Sequence, residues 1–456
     1  MFCGCGCNIV LQVKNKNQNN VDKISFIKEK QLDFSLNFSY NVFIKKKGVS
    51  MKNRPLYLKK LIEFKDKEQI KVITGIRRCG KSKLLDLFIE YLKSEGVASN
   101  HIIKYDFESL KHAGMTYQTL YDEIIKKTKK IKGKVYLFFD EVQRVPQWEL
   151  AINSFRVDLD ADIYITGSNA YLLSSQLSTY LSGRYVEIKM LPLSFKEFLD
   201  FHEFSGDISI NQKFALFLKF GGMPVLTGYN FNEEPINQVL DGILSTVLVK
   251  DVIGQAEVRD VDLLNKILRY LADNIGNITS INNIKNFLIS EQRLDKKTTA
   301  GTVDNYINLL EKAFIFYNIL RYDIKGKDYL KTNNKYYIVD LGLRNHLLGF
   351  KEMDRGHILE NIVLLELVRR GYQVCIGTNV GKEVDFIASK VNEKLYIQVT
   401  ETLMDKQTRE RELSSLKTIK DNYPKIVLSM DEVFTNTNDE GIQIVNMVDW
   451  LLASQD

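Results

Sequence analysis

The chain has 456 residues, enough for about three domains, with 45% hydrophobic and 26% charged residues, the ordinary composition of a water-soluble protein. No run approaches the roughly 18 apolar residues that a membrane-spanning helix needs, so we expect no membrane association. The formal net charge is +6, but residues 1–50 hold eight lysines against three acidic residues and carry +5 of it. The nearly neutral remainder gives no electrostatic argument for a nucleic-acid-binding body.

Residues 1–50 also lack clear hydrophobic periodicity. Three of the five cysteines lie there: Cys3, Cys5 and Cys7. Their C-x-C-x-C spacing is a poor match to zinc sites. Met51 directly precedes the first organised segment, so we expect Met51 to be the biological start and residues 1–50 to be a disordered or wrongly assigned extension. The remaining cysteines, Cys79 and Cys375, indicate no disulfide framework, which predicts a cytoplasmic protein.

The segment 75–82, GIRRCGKS, fits the phosphate-loop pattern G-x-x-x-x-G-K-[ST] without substitution. Gly75 and Gly80 allow the backbone to turn so that its N–H groups surround a phosphate. Lys81 is expected to reach the β and γ oxygens of a nucleotide, and Ser82 to offer its hydroxyl to Mg²⁺. These residue types therefore predict an ATP site.

The flanking sequence supports this interpretation of the loop. Residues 70–74 form a short apolar strand candidate before it, and Lys83–Leu92 follows with apolar residues at helical spacing. A helix that begins here directs its partial positive charge at the phosphates, and we include Lys83 among the nucleotide-binding residues. The alternative is a chance match in a glycine turn.

A second element of the site follows a buried strand candidate at residues 135–139. An acidic residue at the end of such a strand holds Mg²⁺ together with the loop hydroxyl, which is the role predicted for Asp140. Glu141 can then orient and polarise the attacking water. The alternative is that Asp140 and Glu141 only cap the segment that follows.

Further strand candidates occur at residues 101–107, 162–169 and 185–189. They alternate with helical segments over roughly 130 residues, which predicts a parallel sheet with helices on both faces. The second of these strands ends in Ser168 and Asn169, which are placed to sense a γ-phosphate.

Five segments carry a family resemblance: GIRRCGKS, FFDEVQRVPQWE, ITGSNAYLLSS, YLSGRYVEIKMLPLSFKEF and GGMP. From about Arg54 to its end the chain resembles prokaryotic AAA-type ATPases that carry a C-terminal domain of unknown function. The resemblance implies ATP and Mg²⁺ as cofactors, and it places Arg184 where an arginine finger or sensor is expected. Arg184 could equally pair only with a nearby carboxylate. The double arginine Arg77-Arg78 is typical of the group, but no role for it follows from the sequence.

Residues 206–345 read as a helical lid followed by a winged helix. Three apolar helical stripes lie between residues 262 and 310, and a hairpin candidate with a turn at Gly326 follows. Its lysines could contact DNA phosphates: Lys296, Lys297, Lys325, Lys327 and Lys331. Alternatively, they are solvated and the wing packs against the ATPase domain.

Residues 346–456 resemble the restriction-endonuclease-like α/β fold. Glu360 and Asp385 fit its active-site pattern, but Gln398 replaces an acidic residue and Thr400 replaces the lysine. An amide is a weaker ligand for a hard cation than a carboxylate. We therefore expect a degenerate, inactive domain, with a Mg²⁺-dependent nuclease regulated by ATP as the alternative.

Together these features predict an α/β protein: an extension at 1–50, an AAA-type P-loop ATPase domain at 51–205, a helical and winged-helix region at 206–345 and a nuclease-like domain at 346–456. Its predicted activity is Mg²⁺-dependent ATP hydrolysis that drives a switch or motor. The expected partners are an unknown protein or DNA, with a homo-oligomer if Arg184 acts between subunits.

Overall fold

The structure, a computed structural model, describes the chain from Lys52 onward with short gaps. The described ranges are 52–170, 181, 183–255, 258–291, 299–350, 355–379, 381–433 and 437–453. The predictions for residues 1–50, for Met51 and for Lys296 and Lys297 lie outside them. Every helix within the described ranges falls short of the length and apolarity that a membrane crossing requires.

Within the described ranges, the first sheet contains five strands, all paired in parallel in the order β2-β3-β4-β1-β5. The strands are β1 Ile70–Thr74, β2 Ile102–Asp106, β3 Val135–Asp140, β4 Ala161–Gly167 and β5 Tyr185–Lys189. The helices around them are α1 Pro55–Glu63, α2 Lys81–Ser94, α3 Tyr117–Thr128 and α4 Trp148–Asp158. Every residue of β1 and β3 is buried, as expected for a sheet covered on both faces. The predicted parallel α/β sheet is thus confirmed.

Neighbouring aromatic residues on β3 build the two layers of this core. Phe138 stacks on Tyr164, which in turn contacts Phe88 of α2, with ring centroids 4.9 Å apart in each pair. Phe139 points to the other face and stacks on Phe155 of α4 at 5.8 Å. Adjacent strand residues face opposite sides, so a single apolar run packs against helices on both faces.

A helical region follows the first sheet. Its helices are α5 Phe195–Phe201, α6 Ile210–Phe220, α7 Glu233–Val247, α8 Val261–Asp273, α9 Ile281–Ser290, α10 Ala300–Lys312 and α11 Leu341–Leu348, with a π-helical turn at Leu248–Val252 after α7. The segment Gly-Gly-Met-Pro at residues 221–224 follows the end of α6. Gly221 has φ +75°, and a Cβ there would lie 2.4 Å from the Asp340 carboxylate, so only glycine fits.

In the part of the chain that the structure describes, the second sheet has nine strands in the order β13-β14-β12-β11-β10-β9-β7-β8-β6. They are β6 Ile278–Thr279, β7 Phe316–Asp323, β8 Asp328–Ile338, β9 Gln373–Asn379, β10 Lys382–Lys390, β11 Glu393–Thr400, β12 Lys425–Ser429, β13 Thr437–Asp439 and β14 Ile442–Asn446. Helices α12 Arg355–Arg369, α13 Lys406–Lys417 and α14 Met447–Leu452 complete this part of the fold.

This sheet crosses the predicted division at residue 345. Helices α8, α9 and α10 precede the hairpin β7–β8, which is the element order predicted for a winged helix. However, β7 also pairs in parallel with β9, so the hairpin shares one sheet with the C-terminal strands. Strands from the two predicted C-terminal regions therefore belong to one continuous sheet. The winged-helix and nuclease-like assignments stay predictions.

Candidate functional site

The phosphate loop leaves β1 and turns tightly into α2. Gly75 and Gly80 have φ +144° and +104°, and a Cβ on Gly75 would lie 2.1 Å from the carbonyl oxygen of Met190. The side chain of Lys81 is folded onto the loop, where its ammonium donates to the carbonyls of Gly75 at 2.9 Å and Ile76 at 3.1 Å. The loop thus holds its cation with neutral acceptors that an anionic phosphate can replace.

Two oxygen donors meet beside this loop. Ser82 lies exposed in the first turn of α2, near enough to the buried Asp140 carboxylate at the end of β3 to lower its pKa. Burial raises the pKa of Asp140, while hydrogen bonds from Thr166 and Ser82 oppose the rise. Lys83 instead points to solvent beside Asp86. Ser82 and Asp140 therefore form the pair predicted for Mg²⁺, whereas the side chain of Lys83 faces away.

Glu141 is buried next to this pair in an unusual backbone conformation. Its φ is +54°, in the left-handed region that non-glycine residues rarely adopt. The carboxylate accepts hydrogen bonds from the amide of Gln143 at 2.6 Å and the hydroxyl of Ser168 at 3.1 Å. These contacts fix the carboxylate at the carboxyl edge of the sheet, where a water molecule could be oriented.

Strand β4 lies between β1 and β3, so its end reaches the space between the phosphate loop and the acidic pair. Ser168 donates its hydroxyl to Glu141 or to Asp251, each at 3.1 Å. Asn169 donates its amide to the carbonyl of Asp251 at 2.6 Å. The structure thus brings both predicted sensor residues into the site, and they meet Asp251 of the π-helical turn there.

No role for Arg77 followed from the sequence, yet its guanidinium makes four hydrogen bonds in the site. Its guanidinium forms a bidentate pair with Asp251, from Nε at 2.9 Å and Nη2 at 2.8 Å. Nη2 also contacts the hydroxyl of Ser168 at 3.2 Å, and Nη1 contacts Glu108 at 3.1 Å. Asp251 is 174 positions away from Arg77 in the chain, and no local pattern marks it.

Arg184 lies at the opposite edge of the sheet. It directly precedes β5, and its carbonyl accepts the N–H of Ile70, the first residue of β1. Its exposed guanidinium donates to the side chain of Asn153 at 3.3 Å. The length of β1, about 16 Å at 3.3 Å per residue, separates it from the phosphate loop of its own chain. A catalytic Arg184 therefore requires a second copy of the chain, and that role stays a prediction.

The C-terminal cleft brings together the four residues predicted from the nuclease resemblance: Glu360, Asp385, Gln398 and Thr400. Glu360 accepts hydrogen bonds from the Tyr337 hydroxyl at 2.9 Å and the Lys335 ammonium at 3.2 Å. Lys335 lies on β8, and its Nζ is 2.7 Å from a carboxylate oxygen of Glu383. A buried lysine thus neutralises Glu360, one of the two acidic residues that a nuclease would use for metal.

The other groups of this cleft are also engaged internally. Asp385 accepts the N–H of Val399 at 2.8 Å, and the amide of Gln398 donates to Glu412 at 2.7 Å. Burial, with the neighbouring Glu360 and Glu412 carboxylates, raises the pKa of Asp385 well above its ordinary value. No group of three or more His, Cys, Asp and Glu residues suited to a metal ion occurs within the described ranges. The geometry does not support the nuclease alternative.

Comparisons with known proteins agree with a nucleotide-binding site at the carboxyl edge of the first sheet. Residues 67–199 match a family model described as an AAA domain, and residues 211–354 match one described as a domain of unknown function, DUF8612. An uncharacterized protein of Haemophilus influenzae is 42% identical over 406 residues, which are 88% of this chain and 99% of that protein. The uncharacterized protein MJ1544 of Methanocaldococcus jannaschii is 31% identical over 447 residues, or 94% of each chain.

The chain belongs to the same protein family as these two. The match to the AAA model spans the phosphate loop, the acidic pair and Ser168, whereas Asp251 lies in the stretch of unknown function.

Solved structures resemble this chain only distantly. The Aeropyrum pernix ORC2 protein, solved as ADPNP-ADP complexes, is 10% identical with a TM-score of 0.37, covering 69% of this chain and 92% of its own. The replication initiator DnaA bound to AMPPCP and single-stranded DNA is 17% identical with a TM-score of 0.30, covering 59% and 91%. TM-scores this low establish no common function.

Proposed function

We propose that this protein binds ATP with Mg²⁺ at the carboxyl edge of its first sheet and hydrolyses it. The observation that carries the proposal is the position of Ser82 near the buried Asp140, beside a Lys81 ammonium that neutral loop carbonyls hold. Hydroxyl and carboxylate oxygens are the donors that Mg²⁺ prefers, so this pair fits the ion. When bound, the ion would draw negative charge from the phosphate oxygens.

Each remaining side chain has a task in this proposal. Lys81 exchanges its carbonyl partners for the β and γ oxygens and offsets their charge. Glu141 accepts a hydrogen bond from the attacking water and holds it in line with the γ-phosphorus. Ser168 and Asn169 contact the γ-phosphate from the end of β4, as sensors of whether it is present.

The experiment that tests this proposal compares two lysines of one helix. We expect Lys81→Ala to abolish tight ATP binding and hydrolysis, because the charge on the β and γ oxygens is lost. Lys83→Ala should leave both unchanged, since that side chain is 77% exposed beside Asp86. Titration calorimetry and a phosphate-release assay measure the two properties. Equal hydrolysis by wild type and Lys81→Ala would refute the proposed site.

We further propose that hydrolysis drives a switch on a protein or DNA partner. Arg54 supports this idea, because it contacts the carbonyl of Cys79 in the phosphate loop and pairs with Glu197, which also contacts Arg369 of α12. A change in the loop thus has a direct route to the second sheet.

Lys325 and Lys327 are exposed in the hairpin turn. DNA binding that survives replacement of both lysines by alanine would exclude the wing as its contact.

A homo-oligomer is part of the proposal only through Arg184. If a neighbouring subunit supplies this arginine, mixing Arg184→Ala with Lys81→Ala protein should restore part of the lost activity. Each variant then contributes what the other lacks. Full activity of Arg184→Ala alone would show that its contact with Asn153 is only structural.

We also expect the protein to work in the cytoplasm, which fractionation of the native host would test.

A further inference from the structure

Arg77 lies where the loop and the water-orienting carboxylate approach each other. Its Nη2 is 3.2 Å from the hydroxyl of Ser168, and that hydroxyl is 3.1 Å from the carboxylate of Glu141. Only one side chain therefore separates the guanidinium from Glu141. A γ-phosphate that is bound by Lys81 and faces Glu141 has to enter this space.

The partners of Arg77 differ in how firmly they hold it. Asp251 is 4% exposed and accepts two hydrogen bonds from the guanidinium, in the fork geometry that gives arginine–carboxylate pairs their strength. Glu108 is 48% exposed, makes one contact at 3.1 Å and shares its oxygen with Arg144. An exposed contact of this kind contributes little. A phosphate would displace Glu108 much more readily than Asp251.

Electrostatics keeps Arg77 charged in this position. Burial lowers the pKa of Arg77, but its hydrogen bonds and charge interaction with Asp251, together with Glu141 and Glu108, raise it overall. The guanidinium thus keeps its cationic form with one nitrogen, Nη1, directed at the exposed and replaceable Glu108. A planar cation held from behind by a buried carboxylate is pre-organised to bind an incoming anion.

We propose that Arg77 contacts the γ-phosphate of bound ATP through Nη1, in place of Glu108, and that Asp251 is the positioning residue that holds Arg77 for this contact. The inference rests on the proposed ATP site. It adds a cationic γ-phosphate ligand from within the phosphate loop. It also adds a carboxylate from the π-helical turn, outside the AAA match, without which the ligand is not aligned.

Binding affinities for a non-hydrolysable ATP analogue and for ADP test this assignment. Arg77→Ala should weaken binding of the analogue roughly 10- to 100-fold, as loss of a charge-assisted hydrogen bond does, while ADP binding changes little. Asp251→Asn should shift the ratio of the two affinities in the same direction. The double variant should lose no more than Arg77→Ala alone, because both changes remove one interaction.

Glu108→Gln provides a test of opposite sign at an exposed position that does not endanger folding. It should strengthen binding of the ATP analogue by up to about fivefold without changing ADP binding, because a competitor of the phosphate is weakened. Arg144→Ala is the matched control, since Arg144 contacts the same Glu108 oxygen from outside the loop. It should leave the affinity ratio of analogue to ADP close to that of wild type.

The possible results separate this inference from the proposed function. If wild-type protein binds neither nucleotide, the ATP site itself is refuted. If wild type binds both, but Arg77→Ala and Asp251→Asn weaken both nucleotides equally, the two residues are only structural and the inference fails while the ATP site stands. Weaker analogue binding by Glu108→Gln would also overturn it.

Discussion

Two polar clefts of this protein contain acidic residues beside a buried lysine, but their charges are balanced differently. At the edge of the first sheet, Lys81 is held by two neutral carbonyls, and Asp140 by the hydroxyl of Thr166. In the C-terminal cleft, Lys335 directly neutralises Glu360 and Glu383. The Lys81 charge in the first cleft is thus available to pair with an anionic ligand. In the C-terminal cleft, the charges of the lysine and the glutamates already neutralise one another.

This contrast indicates what separates a binding site from a buried polar cluster. A phosphate binds well to an ammonium whose present partners are neutral, because the exchange adds a charge pair. A metal cation gains little from a carboxylate that already pairs with a buried lysine. Binding of the metal would displace the lysine and leave its buried charge without a partner. Acidic residues at matching sequence positions are therefore insufficient evidence for a metal site.

The largest expected effect sharpens this comparison with one isosteric change in each cleft. Glu141→Gln should keep ATP bound and reduce turnover by about 10²- to 10⁴-fold, the usual loss when a general base is removed. Glu360→Gln should leave turnover at the wild-type level. Steady-state phosphate release and nucleotide binding measure both. Unchanged turnover in Glu141→Gln would show that another group orients the water.

A second prediction concerns the ion cluster that connects the two regions. Glu197 accepts two hydrogen bonds from Arg54 at 2.8 Å. Burial raises the pKa of Glu197, but the charges of Arg54 and Arg369 outweigh it, so the pKa is lowered. Glu197→Gln should lower the free energy of unfolding by about 3–5 kcal/mol, since it leaves Arg54 buried without a carboxylate partner.

Urea unfolding provides the measurement for Glu197→Gln, and an exposed ion pair provides its control. Glu68 pairs with Arg156 at 3.2 Å and is 78% exposed. Glu68→Gln should therefore cost less than about 1 kcal/mol. Similar losses in both variants would mean that the buried cluster contributes no more than a surface pair.

The smallest effect is a pH dependence that originates in the C-terminal cleft. The carboxyl of Asp385 has a raised pKa in the folded state, so the folded protein holds a proton that the unfolded chain releases above about pH 4. Stability should therefore fall as pH rises from that value to the folded pKa, by about 1.4 kcal/mol for each unit of pKa shift. Lys335 opposes this effect, while Glu360 and Glu412 strengthen it.

Asp385→Asn removes this titration while keeping an oxygen for the N–H of Val399. We expect the variant to show a flatter dependence of unfolding free energy on pH, and at neutral pH to be at least as stable as wild type. Denaturant unfolding at several pH values checks this. A strongly destabilised Asp385→Asn at neutral pH would indicate that the charge of the carboxylate is needed, as in a metal-binding cleft.

Much of the ATPase fold could be predicted from local sequence. The predicted strands 70–74 and 185–189 have the same bounds in the structure, because short runs rich in β-branched and aromatic residues favour strands. The phosphate loop follows the first of these strands, and the acidic pair lies at the end of β3. Each such feature depends on residues close to one another in the chain.

The partners of Arg77 and the continuity of the second sheet could not be predicted in this way. Asp251 follows α7, in a stretch whose acidic residue among apolar neighbours reads as an ordinary helix surface. Likewise, the pairing of β7 with β9 joins segments on both sides of the predicted division at residue 345. Pairings between residues far apart in the chain produce no periodic pattern in the sequence from which they could be predicted.

The sequence by itself determined which residue types were available for phosphate and metal chemistry: the loop lysine and hydroxyl, the Asp140–Glu141 pair and the polar end of β4. Only the tertiary structure decided which charges face a ligand and which neutralise one another. It directed Arg184 away from its own loop, held Arg77 with Asp251 and set Lys335 against Glu360. The physical reason is that residue type and spacing follow from the chain, whereas the balance of buried charge depends on partners that only folding brings together.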